Sequence, residues 1–458
     1  MDFRTARADS LVVTSAPAPS PASAPMPAPR ARFAWAGRNF RIQTAATVVS
    51  GLGNAAAPIA TAFAVLQAGG TATQVGYVTA ARLVPLVLFL LIGGALADRI
   101  PRHRVMVAAN LFNALSQAVL AALVLAGTTP LWSLLLCAAA GGAGQAFYAP
   151  ASEGMIMESV AAADAGKAFS VYRMALNGSQ IGGAALGGAM AAAVGPGWVL
   201  LVDAAGFAVA GSLRALLKVE QLRPDVARPG LVHELRLGWR EFVSRRWLWA
   251  VVLQFSLMIA CVAAVEAVYG PVVAARRFGG ADAWGLAMAA LGIGMLAAGL
   301  LMARWQPRRL LLVGNLGVFL FALPALTLAA GAGLPVLIAA MFVSGCGVTV
   351  FGVNWMVAMQ QEIPAEMFSR VSAYDHFGSI ALTPLGTALA GPAAEALGLD
   401  GALWTCALVT VALAVVVLAV PEVRRLTRRT SAPVAGSPAP APAPAPVPAA
   451  VPATADAR

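Results

Sequence analysis

Charge is what this chain has least of. Only 11% of its 458 residues are Asp, Glu, Lys or Arg, where an ordinary soluble domain carries about 25%. That scarcity excludes a water-solvated globule. With 59% hydrophobic residues and a mean hydropathy of +0.77, most of the chain needs lipid as its solvent. Lysine is nearly absent: there are only Lys167 and Lys218. A phosphate-cradling loop needs G-x4-G-K-[ST], but around Lys167 positions 161 and 168 are both alanine. An ATP-driven pump is thereby excluded. His103, His233 and His376 show no metal-ligand spacing, so neither a metal site nor an enzyme is expected. The four cysteines, Cys137, Cys261, Cys346 and Cys406, all lie in apolar runs without C-x-x-C spacing. They read as small apolar residues, with no disulfide framework. No cofactor is expected. A secretory leader is not expected either, since Leu11, Val12 and Val13 form the longest early apolar cluster.

What is present is length of apolar run. A spanning helix needs about 20 mainly apolar residues. Twelve such runs occur, at approximately 42–67, 74–97, 105–126, 131–152, 168–194, 198–217, 247–274, 283–303, 309–330, 334–360, 371–397 and 401–420. They are too long and too continuous for barrel strands, and helices are the remaining way to satisfy a backbone in lipid. The expected fold is therefore an all-α integral membrane protein of twelve transmembrane helices.

The net charge of +11 sits in the gaps between the runs, which points to membrane topology and away from nucleic acid. If the N-terminus is cytoplasmic, all but four Lys and Arg residues fall in cytoplasmic segments. Arg276 and Arg277 lie in an outer loop, and Arg82 and Arg173 lie within helices. This count groups Arg214, near the end of the sixth run, with the charges of the cytoplasmic loop that follows. Both termini are expected in the cytoplasm of a bacterial cell, with the chain in its inner membrane. The divisions read as a disordered N-tail (1–41), a six-helix half (42–217), a central loop (218–246), a second six-helix half (247–420) and a Pro/Ala-rich disordered tail (421–458). Within the central loop, Leu231 to Phe242 has a helical apolar rhythm with charges between. It suits an amphipathic helix on the membrane surface or a solvated linker helix.

The halves repeat. Phe147-x10-Glu158 matches Phe351-x10-Glu362, Ser170-x-Tyr172 matches Ser372-x-Tyr374, and Gly94-x4-Arg99 matches Gly299-x4-Arg304. Six helices separate the members of each pair, an even number, so the repeats are parallel. The stretch Gly94-Ala-Leu-Ala-Asp98-Arg99-Ile-Pro-Arg102-His-Arg104 resembles the loop signature of the major facilitator superfamily. Other phrases are similar to its drug:proton antiporter group that includes siderophore exporters: Val202-Asp203-Ala-Ala-Gly-Phe207, Phe147-Tyr-Ala-Pro150-Ala and Ser369-Arg370-Val-Ser372-Ala-Tyr374-Asp375. The antiporter signature of the fifth helix is not matched, because Gly183 stands where its proline would be. Close helix packing explains that glycine-rich run.

The resemblance implies a conformational latch built from Gly94, Asp98, Arg99, Arg102, Arg104 and Arg370. Asp98 would meet the start of the eleventh helix near Ser369 and Arg370, a carboxylate against a helix N-terminus. Arg102 or Arg104 would meet Glu153 or Glu158. Ala303 in the second half replaces Asp98, so the latch is one-sided. Charges inside the membrane are costly and mark functional candidates. Here they are Arg82, which always keeps its proton, and Asp203 and Glu266, either of which could carry a coupling proton. Arg82 could hold an acidic substrate group, and Arg82 and Asp203 could instead be structural ion pairs. The superfamily fold also implies a central cavity lined by the first, fourth, seventh and tenth helices. On those helices stand Asn54, Gln145, Phe147, Tyr148, Gln254, Asn354 and Trp355. Such a pocket suits a medium-sized amphipathic ligand. The expected function is a monomeric secondary exporter of a small organic molecule driven by protons. An importer of a metabolite, or an uncoupled sensor or lipid-moving protein, are the alternatives.

Overall fold

A computed structural model describes residues 36–97, 101–160, 164–217 and 231–429. The first half runs through α1 (Arg38–Gln67), α2 (Ala72–Ala97), α3 (Arg102–Leu125), α4 (Leu131–Glu158), α5 (Ala165–Val194) and α6 (Pro196–Ala215). α7 (Leu231–Ser244) follows, where the sequence places the amphipathic helix. In the second half, α8 (Arg246–Ala264) passes through a π-helical turn, Val265–Tyr269, into α9 (Gly270–Arg277). Next comes α10 (Ala281–Arg304). α11 (Leu310–Val318) continues through a 3-10 turn, Phe319–Ala322, into α12 (Leu323–Ala329). α13 (Leu334–Glu362), α14 (Ala365–Ile380), α15 (Thr383–Leu418) and the short α16 (Pro421–Arg425) complete the order.

Ten of these segments are long and apolar enough to cross a membrane. One of them, Arg370–Leu418, holds two crossings, because α15 turns back at Gly398 (φ 75, ψ 159). With the 30-residue α5 the described residues contain twelve spanning segments, the number the apolar runs predict. Their surfaces are apolar all round, and large side chains such as Leu88, Leu115, Leu136, Leu300 and Val416 stand exposed, as lipid-facing positions do.

The two halves use the same neighbours. α2 packs on α4 as α10 packs on α13, and α3 packs on α6 as α11 and α12 pack on α15. The turns repeat as well. Gly195 (φ 95) and Gly398 (φ 75) reverse the chain at corresponding places, and Gly127 (φ 67) and Gly331 (φ 67) end the third and ninth crossings. All four adopt the left-handed region that glycine enters without a Cβ penalty.

Between the halves, α2 packs on α15 and α5 packs on α10. These contacts concentrate toward the membrane face opposite the termini. A Cβ on Gly76 would lie 2.4 Å from the Thr387 carbonyl oxygen, and one on Gly391 would lie 2.1 Å from the Thr73 Cα. A Cβ on Gly188 would meet the Ala281 carbonyl oxygen at 2.5 Å. The Thr73 hydroxyl also donates to Glu395 across this seam, at 2.5 Å.

At the face carrying the termini, α7 lies against α14 and α8. Gly238 lets it approach Arg370 and Tyr374, and Trp239 and Phe242 both pack on the Tyr374 ring. The sequence reading starts the disordered tail at 421. Residues 421–429 are instead ordered. The reason is backbone pairing: the Leu310 amide donates to Leu426 (3.2 Å) and the Arg428 amide to Arg308 (2.7 Å). An Arg429–Glu362 ion pair (2.9 Å) adds to it. At the other end α1 already begins at Arg38, inside the expected N-tail, and residues 1–35 and 430–458 lie outside the described residues.

Candidate functional site

Two of the amide-bearing cavity candidates and one of the charged ones come together in the first half. Arg82 on α2 donates from Nη2 to the Asn54 Oδ1 on α1 (2.7 Å) and the Gln145 Oε1 on α4 (3.1 Å). It can reach both because Gly142 removes any side chain between α4 and α2: a Cβ there would lie 1.8 Å from the Arg82 carbonyl oxygen. Asp203 is not its ion-pair partner. It is fully buried on α6 and packs on a different residue of α1, Gly53, where a Cβ would lie 2.1 Å from its Oδ1. Neither of its carboxylate oxygens has a hydrogen-bond partner within 3.5 Å, and the side-chain donor that faces it is Gln117 on α3. Asp203 is within electrostatic range of Arg82 without contact, so the pairing expected as one reading does not form.

A cavity of about 170 Å³ opens beside these groups. Thr47, Ser50, Asn54, Asn113, Gln145, Tyr148, Ser152 and Tyr172 line it, with the exposed Arg173 and Gln180. Behind its wall lies a second guanidinium. The sequence reading counts Arg214 among the loop charges, but the structure buries it completely in the last turn of α6. Its Nε donates to the Gln43 Oε1 (3.2 Å), and its Nη2 donates to the Thr47 Oγ1 (3.1 Å) and the Tyr148 hydroxyl (2.6 Å). The guanidinium also lies 4.8 Å from the centre of the Tyr148 ring. Gln43 in turn donates to Ser152 (3.0 Å), whose hydroxyl bonds Tyr172 (2.8 Å). Every partner of Arg214 is neutral, and its Nη1 has none. The physical cause is that hydroxyls and an amide on α1 and α4 solvate this charge in place of water. Gln43 and Thr47 on α1, and Tyr148 and Ser152 on α4, stand four residues apart in otherwise apolar runs, a signal by which this cluster could have been found.

The second half differs. Glu266 is half-buried in the π-helical turn, toward the face opposite the termini, and has no hydrogen-bond or ion-pair partner among the described residues. π-turns inside spanning helices often mark functional positions. Gln254 and Asn354 are not lining groups. Gln254 donates to Asn315 (2.7 Å), and Asn315 donates to the Ala414 carbonyl (2.8 Å), fastening α8, α11 and α15 together. Asn354 is fully buried and donates back to Val350 in its own helix (2.8 Å). Trp355 is nearly buried. Its ring continues a ladder of Trp247, Phe351 and Phe255, and its Nε1 donates to Asp375 on α14 (3.1 Å).

Phe147 is also displaced from the expected cavity. It stacks on Phe89 and lines a lateral groove of about 550 Å³ between α3 and α4, together with Phe112 and the exposed Arg104. Of the latch, Asp98 and Arg99 lie outside the described residues, as do the side chains of Glu153, Glu158 and Ser369. Arg370 lies beneath α7, against Gly238, with its Nη1 3.5 Å from the Met367 sulfur.

The multidrug efflux pump Tap of Mycolicibacterium fortuitum is 29% identical over 402 residues, which cover 83% of this chain and 95% of that protein. Macrolide efflux protein A of Streptococcus pyogenes is 22% identical over 407 residues, covering 86% and 96%. Among solved structures, the nucleoside transporter NupG superposes with a TM-score of 0.66 at 12% identity, covering 84% of this chain and 99% of that one. A likeness at that identity shows the fold alone. Residues 44–379 match the family model described as Major Facilitator Superfamily, well over half of the chain, and the chain belongs to that superfamily.

Proposed function

We propose that this chain is a proton-driven exporter of small amphipathic organic molecules, working by alternating access. The observation that carries this reading is the packing of two parallel six-helix halves against each other toward one membrane face, beside a polar cavity within the bilayer. Two such halves can rock about the seam and expose that region to either side in turn. Similarity to efflux pumps over nearly their whole length supports export over import. The reading places the chain in a bacterial inner membrane as a monomer, with both termini in the cytoplasm.

Particular residues take proposed roles. Arg82, Asn54, Gln145 and Tyr148 form the first-half wall of the substrate site. Asp203 and Glu266 are the carboxylates available to bind a coupling proton. Both lie within membrane-spanning helices, Asp203 fully buried and Glu266 half-buried, where a lone carboxylate is costly and marks an ion pathway. Gly94, Asp98, Arg99, Arg102, Arg104 and Arg370 form a latch at the face carrying the termini, which closes when the opposite face opens.

The test is transport by inside-out membrane vesicles holding the overproduced protein. A panel of amphipathic fluorescent dyes is expected to accumulate when a proton gradient is imposed, and an uncoupler is expected to abolish the uptake. Uptake equal to that of vesicles lacking the protein would sink the proposal. Uptake indifferent to the uncoupler would remove the proton from it.

A further inference from the structure

We infer that the first-half cavity is an anion subsite, shaped to receive the carboxylate or other oxyanion head of an amphipathic organic acid. The inference rests on the transporter reading and names the substrate chemistry it leaves open.

Size is the first argument. A site that swallows a whole organic ligand occupies about 300–1,000 Å³, and this one offers about 170 Å³. It holds a head group, and the remainder of the molecule must lie outside it. Its lining is also unusually polar for a membrane interior, with Asn54, Asn113, Gln145, Tyr148 and Ser152 among its walls.

Sign is the second argument. Arg82 touches two lining residues, Asn54 and Gln145, and Arg214 touches two others, Thr47 and Tyr148. Both guanidiniums keep their charge. Both are held only by neutral acceptors, and neither forms an ion pair with an acid within 4.0 Å among the described residues. No carboxylate lines the cavity. Asp203, fully buried, is within electrostatic range of Arg82 but packs against Gly53 without contacting the guanidinium. Two cations with neutral hydrogen-bond partners therefore act on one small chamber, which the exposed Arg173 also lines, in a low-dielectric medium where Coulomb interactions are several times stronger than in water. Neutral hydrogen bonds orient such charges but do not cancel them. An incoming oxyanion would.

Equilibrium binding to purified protein in lipid nanodiscs tests this without requiring transport. The probes are 1-pyrenebutyric acid, its methyl ester and the matching pyrenyl amine, read by fluorescence at neutral pH. The acid is expected to bind about tenfold more tightly than the ester, and the amine more weakly than both. Gln145→Glu places a carboxylate in the seat of the amide that already bonds Arg82, at nearly the same size. It is expected to erase the preference of acid over ester, read as the ratio of their two dissociation constants. Acid and ester binding within twofold of each other in the unmodified protein would overturn the inference. So would an acid preference that survives both Gln145→Glu and Arg82→Gln in folded protein. Absence of acid preference with uncoupler-sensitive dye transport intact would overturn the subsite and leave the transporter reading standing.

Discussion

Charges within the helices of this chain are met in two different ways. Arg82 and Arg214 are each solvated by amide and hydroxyl oxygens supplied from neighbouring helices, whereas Glu266 has no such partner. An arginine is permanently charged, so the helices around it must carry acceptors at fixed places. A carboxylate can exchange its proton instead, which leaves Glu266 free of that requirement. Glu266→Gln keeps the shape and removes the exchangeable proton. It is expected to lower uncoupler-sensitive efflux at least tenfold and to flatten its dependence on pH, measured by dye transport in vesicles. Wild-type rate and pH profile would discard Glu266 as the carrier. Arg82 was legible as a single charge within an apolar run. Arg214 was not, because it stands four residues before Lys218 and a positive charge at a helix end reads equally well as topology. Only the three-dimensional arrangement brings Gln43, Thr47 and Tyr148 around it.

Helix packing is set here by glycine, and glycine acts differently within a half and between halves. Gly142 seats α4 on the backbone of α2, and Gly294 and Gly345 bring α10 and α13 together in the same manner, each with a carbonyl oxygen about 2.0 Å from where a Cβ would sit. These contacts persist in every state of a rocking pair of rigid halves. Gly188 instead lies on the seam, against the backbone of Ala281 and Gly285 in the other half. A methyl group cannot be absorbed there by a side-chain rotation, so the seam itself must open, at about 1–3 kcal/mol of overpacking. Gly188→Ala is therefore expected to shift the closed-to-open ratio at the face opposite the termini by about fivefold or more. The measurement is labelling of a Thr73→Cys reporter by a membrane-impermeant maleimide, which should quicken correspondingly. Unchanged labelling in a normally folded variant would show that the seam does not gate that face. Gly142→Ala should lower thermal stability in detergent without this change in labelling. Helix number and the parallel repeat were legible from apolar run length and recurring spacings. The paired left-handed turns at Gly127 and Gly331, and at Gly195 and Gly398, were not, since a φ value leaves no mark on composition in a chain with 45 glycines.

At the scale of the whole molecule, closure at one face requires release at the other. The halves meet through Gly76, Thr387, Thr73 and Gly391 near the face opposite the termini, while at the terminal face α14 takes its packing from α7 and α8. α7 thus holds Arg370 and Tyr374 on the second half, at the end of α14 where the proposed latch would engage. If Asp98 engages that end when the molecule rocks, its contribution is a carboxylate at a helix N-terminus, worth about 0.3–1 kcal/mol when exposed and up to about 2 kcal/mol when partly buried. That is small against folding and large against a balanced two-state equilibrium, where it shifts populations by about twofold to thirtyfold. Asp98→Asn should consequently leave expression and melting temperature intact while cutting efflux severely, and a reporter cysteine on the terminal face should label faster because that face stays open. Asp98→Glu should recover part of both. Transport and labelling by Asp98→Asn indistinguishable from the unmodified protein would remove the latch, and the rocking of the halves would then have to be controlled from the opposite face alone.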